Sequence, residues 1–312
     1  MRVLTWHVHG SYLSYLSRVP VTWVLPVRAG GGEGYGGRTP GFDWPDNVVE
    51  VPAGEVAGTD LDLVVTQHRR NWELDRHELR GGRVDALPRV HLEHDPPRRW
   101  PNDALHPVQD EGATLVHVTP FNDLMWDAGA TPTRVVEHGV VVPDLPWTGH
   151  TAAAVTVVNN LYRRGRRLGP DVFDAVAAQV PVDLAGMNGE AHPRWLGDVL
   201  LPDLHARLPA YRCFFNPIRY TSMGLAVCEA MALGLPVVGL ATTEMASAVQ
   251  NGVNGYVETD AGRLAGHVRR LLADPDEAAE LSAGARTLAR ERFGIERFVR
   301  DWLAVLHERV SA

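Results

Sequence analysis

Residues 213–258 read CFFNPIRYTSMGLAVCEAMALGLPVVGLATTEMASAVQNGVNGYVE. The β-type run CFFNP leads through Ile218, Arg219 and Tyr220 into an apolar, alanine-rich helix near Ser222–Leu233, capped by Thr221 or Ser222. Gly234 and Pro236 close that helix as the residue after the C-cap and a stop signal. A second apolar run, PVVGLA, and a short helix near Glu244–Gln250 follow. Strand, loop, helix and strand in this order build a parallel sheet covered on both faces. The helix start leaves the N–H groups of Met223, Gly224 and Leu225 unpaired at a positive dipole end, and Gly224 admits a ligand close to the backbone. These features predict an anion cradle. Glu229 sits seven residues after Ser222 among Ala226, Val227, Cys228, Ala230, Met231 and Ala232. A carboxylate there must find specific partners: a sugar diol such as a ribose, or an arginine such as Arg219.

The pattern extends on both sides. AVTVVNN (154–160), a helix over Pro170–Gln179, VDLAGMN (182–188) and a helix over Leu196–Arg207 precede the stretch. Long helical periodicity over Asp260–Val310 follows, broken at Pro275 and ending in an amphipathic helix, Ile295–Val310. The first half is strand-like and loop-rich, with β-type runs at Arg2–Trp6, Val21–Leu25, Val48–Val51, Leu61–Thr66, Arg89–Leu92, Thr114–Val118 and Arg134–Val136. The texture changes near Thr148–Thr151. The expected domains are therefore 1–150 and 151–294, with the helix 295–312 packing back on the first. Doubly wound sheets bind ligands outside the carboxyl ends of their strands.

The 312 residues suffice for two domains. Net charge is −8, from 30 basic and 38 acidic residues, so nucleic acid is not an expected partner. The sequence contains no lysine, and every basic residue is arginine. Schiff-base lysines and a Walker-type lysine are thereby excluded, and phosphate must meet arginine forks or backbone N–H groups. Asn160-Leu161-Tyr162-Arg163-Arg164-Gly165-Arg166-Arg167 stands directly after a strand and is the natural place for such forks. Cys213 and Cys228 lie in apolar runs and read as reduced core residues. With no signal-peptide pattern and no transmembrane segment of 18 apolar residues, the expected location is cytoplasmic.

Histidine is abundant, with ten of the 14 before residue 151. His7 and His9 follow the first strand and open Gly10-Ser11-Tyr12, a loop that would line the floor of a cleft. His91 and His94 end the fifth strand; the two His pairs, with Glu93 or Asp95 supplying a carboxylate, offer a zinc site as an alternative reading. Gly32, Gly34 and Gly37 spell Gly-x-Gly-x-x-Gly, but Thr39-Pro40-Gly41 follows in place of a helix, so a lid reading replaces a dinucleotide loop. Asp60-Leu61-Asp62 opens a strand and is not read as a metal motif.

Thr221-Ser222-Met223-Gly224-Leu225-Ala226-Val227-Cys228-Glu229-Ala230-Met231-Ala232-Leu233-Gly234-Leu235-Pro236-Val237-Val238, followed by Asn251-Gly252-Val253-Asn254-Gly255, resembles the C-terminal signature of glycosyltransferase family 4. His91–Pro97 and Val135–Val140 resemble the family's first-domain His loop and interdomain segment. The resemblance implies an α/β fold of GT-B type, two Rossmann-like parallel-sheet domains facing across a cleft. It implies a retaining glycosyltransferase moving a sugar from a nucleotide-sugar donor to a small-molecule, glycan or lipid-linked acceptor, with no cofactor and no metal. Donor-binding residues would be Asn160, Arg164, Arg166, Arg167, Ser222, Met223, Gly224, Leu225 and Glu229, the last on the ribose. Acceptor-binding residues would be His9, Gly10, Ser11 and Tyr12, and the catalytic pair His94 and Thr221. Thr221 departs from the family, which has Glu there; Arg219 and Glu244 are the nearby substitutes. The family's diphosphate lysine must here be an arginine within 163–167. The alternatives are a non-catalytic nucleotide-sugar-binding partner and a His-based metal hydrolase.

Overall fold

Runs of β-branched residues bounded by Gly, Pro and Asp form parallel strands throughout the computed structural model, which describes residues 1–311. The chain divides into two units, Met1–Gly139 joined by the helix that starts at Ile295, and Val140–Gly294.

The first unit carries β1 (Arg2–Leu4), β2 (Thr22–Val27), β3 (Val48–Pro52), β4 (Leu63–Thr66), β5 (Arg89–Glu93), β6 (Ala113–His117) and β7 (Thr133–Val135). They lie in the order β3-β2-β1-β4-β5-β6-β7, with Val3 opposite both Trp23 and Leu63. The chain direction of winding therefore reverses between β1 and β4, and the loops after those strands flank the switch point. Three helices appear where the sequence showed only strands and loops: α1 (Gly10–Leu16), α2 (Arg76–Arg80) and α3 (Pro120–Met125). In α1, Tyr12–Leu16 are all buried, so the segment lacks the polar stripe by which a surface helix announces itself. Thr119 caps α3 by accepting from Asn122 N at 3.1 Å.

The second unit carries β8 (Thr151–Val157), β9 (Val182–Ala185), β10 (Tyr211–Asn216), β11 (Val237–Leu240) and β12 (Gly255–Glu258), in the order β12-β11-β10-β8-β9. Its switch point lies between β8 and β10. The helices are α4 (Pro170–Ala177), α5 (Leu201–Arg207), α6 (Leu225–Ala232), α7 (Met245–Ala248), α8 (Ala261–Ala273) and α9 (Pro275–Arg292). Every residue of β9, β10 and β11 is buried, as strands covered on both faces must be. Cys213 and Cys228 are buried free thiols. The strand β12 hides in the sequence behind the Asn251-Gly252 turn.

The boundary falls at Gly139/Val140 and not at residue 150. Segment 140–150 is bound to the second unit: Val140 N donates to Phe293 O at 3.0 Å, Thr148 N to Pro209 O at 2.9 Å, and Trp147 Nε1 to Tyr211 O at 2.9 Å. The C-terminal helix α10 (Ile295–Ser311) belongs to the first unit. Arg297 donates to Glu137 O at 2.9 Å, Phe298 packs on Gly139, and Trp302 Nε1 donates to Tyr12 Oη at 3.1 Å.

Trp302 is fully buried, so its removal leaves both a cavity and an orphaned Tyr12 hydroxyl. Trp302→Ala is expected to lower the unfolding free energy by about 3–5 kcal/mol in urea titration; a loss below about 1 kcal/mol would mean α10 is not part of the first unit's core.

Candidate active site

The second unit's switch point is framed by the loops after β8 and after β10. Gly169 lets them touch: its φ of +74° lies in the left-handed region, and a Cβ would stand 1.9 Å from Pro217 O. Arg219 N and Tyr220 N both donate to Arg167 O, at 3.0 and 3.1 Å. The loop after β8 is tied to the loop after β9 as well. Asn160, with φ +60°, donates its N–H to Met187 O at 2.8 Å and accepts from Asn188 Nδ2 at 2.7 Å.

The arginines divide into two sets. Arg219 grips Asp171 with both guanidinium nitrogens, its Nη2 at 2.6 Å, and Arg166 Nη1 reaches the same carboxylate at 2.9 Å. The hydrogen bonds from Arg219 and the charges beside it hold the Asp171 carboxyl down at about 2. Arg163 and Arg164 are exposed, and Arg167 is partly buried beside the β10 loop. Neither proposed substitute for the missing family Glu is at liberty: Arg219 is held by Asp171, and buried Glu244 is bound by Arg292 and Ser247. Thr221 donates its hydroxyl to Ser222 O at 2.6 Å, so no carboxylate stands at that position.

Helix α6 starts at Leu225, later than its sequence suggests. Gly224 is the N-cap, extended at φ −74° and ψ 143°, and no side chain caps the helix. Thr221 and Ser222 are not its caps, and the seven-residue spacing does not put Ser222 on one helical face with Glu229, because residues 221–224 are not helical. The consequence for the site is favourable. No side chain caps the first turn, in which Val227 N closes on Gly224 O at 3.0 Å, and a Cβ on Gly224 would meet nothing within 4 Å. Met223 is buried, while Ser222, Gly224 and Leu225 are partly exposed. Gly234 closes the helix as expected, with Leu235 N donating back to Ala230 O at 2.9 Å.

Glu229 is 3% exposed and its partner is not Arg219. His205 of α5, itself buried, lies with Nε2 3.4 Å from Glu229 Oε2. A lone His in LPDLHAR carries no signal of this in the sequence; only the packing of α5 against α6 brings the two together.

At the first unit's switch point, Gln67 after β4 donates to Thr5 Oγ1 at 3.1 Å and Trp6 O at 3.0 Å after β1, and its Oε1 faces His94 Nε2 at 3.3 Å after β5. His94 lies edge-on to His9 and Tyr12, with ring centroids 4.3 and 4.8 Å away. Burial, then the neighbouring His9, His138 and His91, push the His94 pKa well below the ordinary histidine range. His9, Tyr12 and His94 are thus gathered at one place, with Gly10 and Ser11 opening α1 beside them; a Cβ on Gly10 would press on the Phe42 ring at 2.9 Å. His7 turns elsewhere, bonded to Gly37 O and set 5.2 Å from the Trp44 ring. The glycine-rich segment is pinned by bridges of His7 to Gly34 and Val27 to Gly36, which a free lid would lack.

The zinc ligands read from sequence do not assemble as one group: His7 is bonded to Gly37 O, and His9 and His94 belong to no cluster of three ligating groups among the described residues. Among the described residues, His91, Glu93 and His106 have ligand atoms within 4.8 Å of one another, and His106 was not foreseen. Hydrogen bonds already occupy His106 and Glu93. Val108 N donates to His106 Nδ1 at 3.0 Å, so in the neutral ring Nε2 carries the proton and donates to Glu93 Oε2 at 3.2 Å. A metal on His106 Nε2 would require a proton on Nδ1, directed at an N–H. Glu93 Oε1 accepts from Asp95 N at 2.8 Å, so this group braces the turn carrying His94.

Residues 169–274, less than half of the chain, match the family "Glycosyl transferases group 1". Trehalose synthase of Pyrococcus horikoshii is 32% identical over 84 residues, covering 27% of this chain and 20% of that enzyme, so the match spans about a fifth of that relative's length. The structure of Anabaena Alr3699/HepE in complex with UDP and glucose superposes with a TM-score of 0.71 at 16% identity, covering 98% of this chain and 99% of that one. Sucrose-phosphate synthase (tll1590) from Thermosynechococcus elongatus gives 0.69 at 17% identity, over 99% and 98%. The fold is GT-B. Fold and family match together support a glycosyltransferase.

Two measurements test the site. Gly169→Ala is expected to destabilise the chain by more than about 2 kcal/mol, from backbone clash and a left-handed φ, whereas Gly224→Ala leaves the melting temperature unchanged; equal effects would contradict the loop geometry. His117 is held down at about 3 by burial and His106, and burial pushes His91 well below its ordinary value. Their unfolded counterparts bind protons first as pH falls through about 6.5. Stability is therefore complete above that value and declines below it, by about 1.4 kcal/mol per pH unit for each group. Urea midpoints that stay level between about pH 7.5 and 5.5 would contradict this burial.

Proposed function

We propose that this chain is a retaining glycosyltransferase that moves a sugar from a nucleoside diphosphate donor, with UDP the first base to test, to an acceptor hydroxyl. The observation that carries the reading is the uncapped start of α6 at the second unit's switch point, with Gly224 bordering open space beside an arginine-rich loop and buried Glu229 on the same helix. The Anabaena Alr3699/HepE structure, a complex with UDP and glucose, supports a UDP-type donor.

Met223, Gly224 and Leu225 meet the diphosphate with backbone N–H groups, helped by Arg164 and Arg167, while Arg166 stays with Asp171. Glu229 accepts from the ribose hydroxyls, steadied by His205. Asn160 and Ser222 line the same two loops. In the reaction the bond from the anomeric carbon to the phosphate oxygen breaks, and a bond to the acceptor oxygen forms on the same face. The acceptor proton passes to the departing phosphate. Charge grows on the diphosphate, and fixed N–H dipoles and guanidinium groups stabilise it without a metal. Thr221 offers the transferred sugar a hydroxyl. On the acceptor side, His94 stays uncharged at neutral pH, flanked by His9, Gly10, Ser11 and Tyr12. No helix among the described residues is long and apolar enough to cross a membrane; we place the protein in the cytoplasm on its two reduced thiols, and expect no nucleic-acid partner from its net charge.

Thr221 favours one rival, a non-catalytic nucleotide-sugar binder, which would not hydrolyse or transfer the donor sugar. Calorimetric titration with UDP, GDP and ADP is expected to yield one clear binder. Glu229→Ala should weaken it about tenfold or more, and replacing Arg164 and Arg167 by Gln should weaken the diphosphate far more than the free nucleoside. No binding by any nucleotide would defeat the donor site; binding with no hydrolysis or transfer would favour the rival.

A further inference from the structure

Three non-glycine residues among those described take a positive φ: Asn160 at 60°, Asn188 at 55° and Thr243 at 50°. Each stands three residues beyond the end of its strand, β8, β9 and β11 respectively, on the edge of the sheet where ligands bind. Asparagine tolerates this conformation, and the two asparagine side chains bond to each other across their loops. Thr243 has neither advantage. Its branched Cβ crowds the backbone at positive φ. It also occupies the first central position of a turn closed by Met245 N to Thr242 O at 3.1 Å, with Glu244 at φ −70° and ψ −18°. A positive φ at that position favours glycine. The surroundings hold the strain in place: Thr242 donates its hydroxyl to Ile218 O at 3.2 Å, and buried Glu244 is bound by Arg292 and Ser247. No hydrogen bond reaches the Thr243 hydroxyl among the described residues, and the residue is partly exposed. Strain kept at a strand end, with no internal contact that needs it, marks a residue held ready for a ligand.

The course of the donor decides which part of it reaches Thr243. Ribose lies at Glu229 and the diphosphate at the start of α6 in the function proposed above. Glu229 turns toward His205 of α5, the helix that leads from β9 into β10. Strands β8 and β9 lie on that side of β10, and β11 lies on the other. A nucleotide sugar is a chain of base, ribose, diphosphate and sugar. A ribose held toward α5 therefore sends the sugar the opposite way, past the loop after β10 to the loop after β11. Thr242 already ties those two loops together. We propose that Thr243 is a specificity-determining residue for the transferred sugar, its hydroxyl meeting one of the sugar's hydroxyl groups. This role rests on the glycosyltransferase reading, with Glu229 as the ribose ligand.

Thr243→Gly and Thr243→Ser in the full chain test this. Glycine removes the hydroxyl and accepts the left-handed conformation. Its melting temperature is not expected to fall, because relief of the backbone outweighs the freedom that glycine adds to the unfolded chain. Whichever of UDP, GDP and ADP binds the natural protein carries no sugar, and should bind Thr243→Gly within about twofold in calorimetric titration. The glucose, galactose and N-acetylglucosamine conjugates of that nucleotide are then compared in hydrolysis and transfer. In Thr243→Gly, kcat/KM for the preferred conjugate is expected to fall about tenfold and the preference among the three to narrow. Thr243→Ser keeps the hydroxyl and should stay within about threefold of the natural protein. If the chain binds these conjugates without turning them over, the same contrast is read in their affinities. An unaltered donor preference in Thr243→Gly overturns the proposal, as does an equal loss for the nucleotide and its sugar conjugates. A lowered melting temperature would show that Thr243 is not strained and overturn it as well. Failure of every nucleotide to bind would defeat the glycosyltransferase reading itself, whereas normal nucleotide binding with unaltered preference defeats the role of Thr243 alone.

Discussion

The carbonyl of Arg167 is the point on which the second unit's site depends. It accepts the N–H groups of both Arg219 and Tyr220, and Gly169 two residues later allows the backbone of Pro217 to come against it. Through this contact the loop after β8 and the loop after β10 become one surface at the sheet's switch point. The start of α6 inherits its position from that surface, since only residues 221–224 separate Tyr220 from the first helical turn. An anion site made of backbone N–H groups is as good as the backbone is fixed, and here it is fixed by main-chain bonds between two crossover connections.

Asp171 has a related part. By taking Arg166 and Arg219 together it absorbs two guanidinium groups that an arginine-rich loop would otherwise leave in mutual repulsion. The arginines that remain toward solvent are then separate in role from those that brace the loop. The first unit's switch point is braced differently. A buried carboxamide ties three strand ends, and a His106 to Glu93 bond steadies the turn that follows β5.

Much of the fold is legible in the sequence because buried parallel strands are short apolar runs between turn residues, and α8, α9 and α10 carry clear periodicity. The helices α1, α2 and α3 escape because they are short or lack a polar stripe. The start of α6 escapes for another reason: Thr221 and Ser222 are good caps, but Thr221 spends its hydroxyl on the neighbouring Ser222 carbonyl and Gly224 takes the extended conformation that ends the loop. Glu229 stands out in sequence as a charge in an apolar helix, yet its partner on α5 does not, because the contact joins elements with no common spacing.

The missing lysine shows where the division lies. Composition by itself determined that any phosphate here meets arginine or backbone N–H, and the run 160–167 located those arginines after a strand. Apolar runs and their alternation determined two parallel sheets. Only the tertiary structure decided which arginine is committed to Asp171, that His94 joins His9 and Tyr12 while His91 joins Glu93 and His106, and that Gln67 lies among them. Strand runs and residue types are local properties of the chain, whereas pairings between loops at strand ends depend on the order of the strands in the sheet, which brings together residues far apart in sequence.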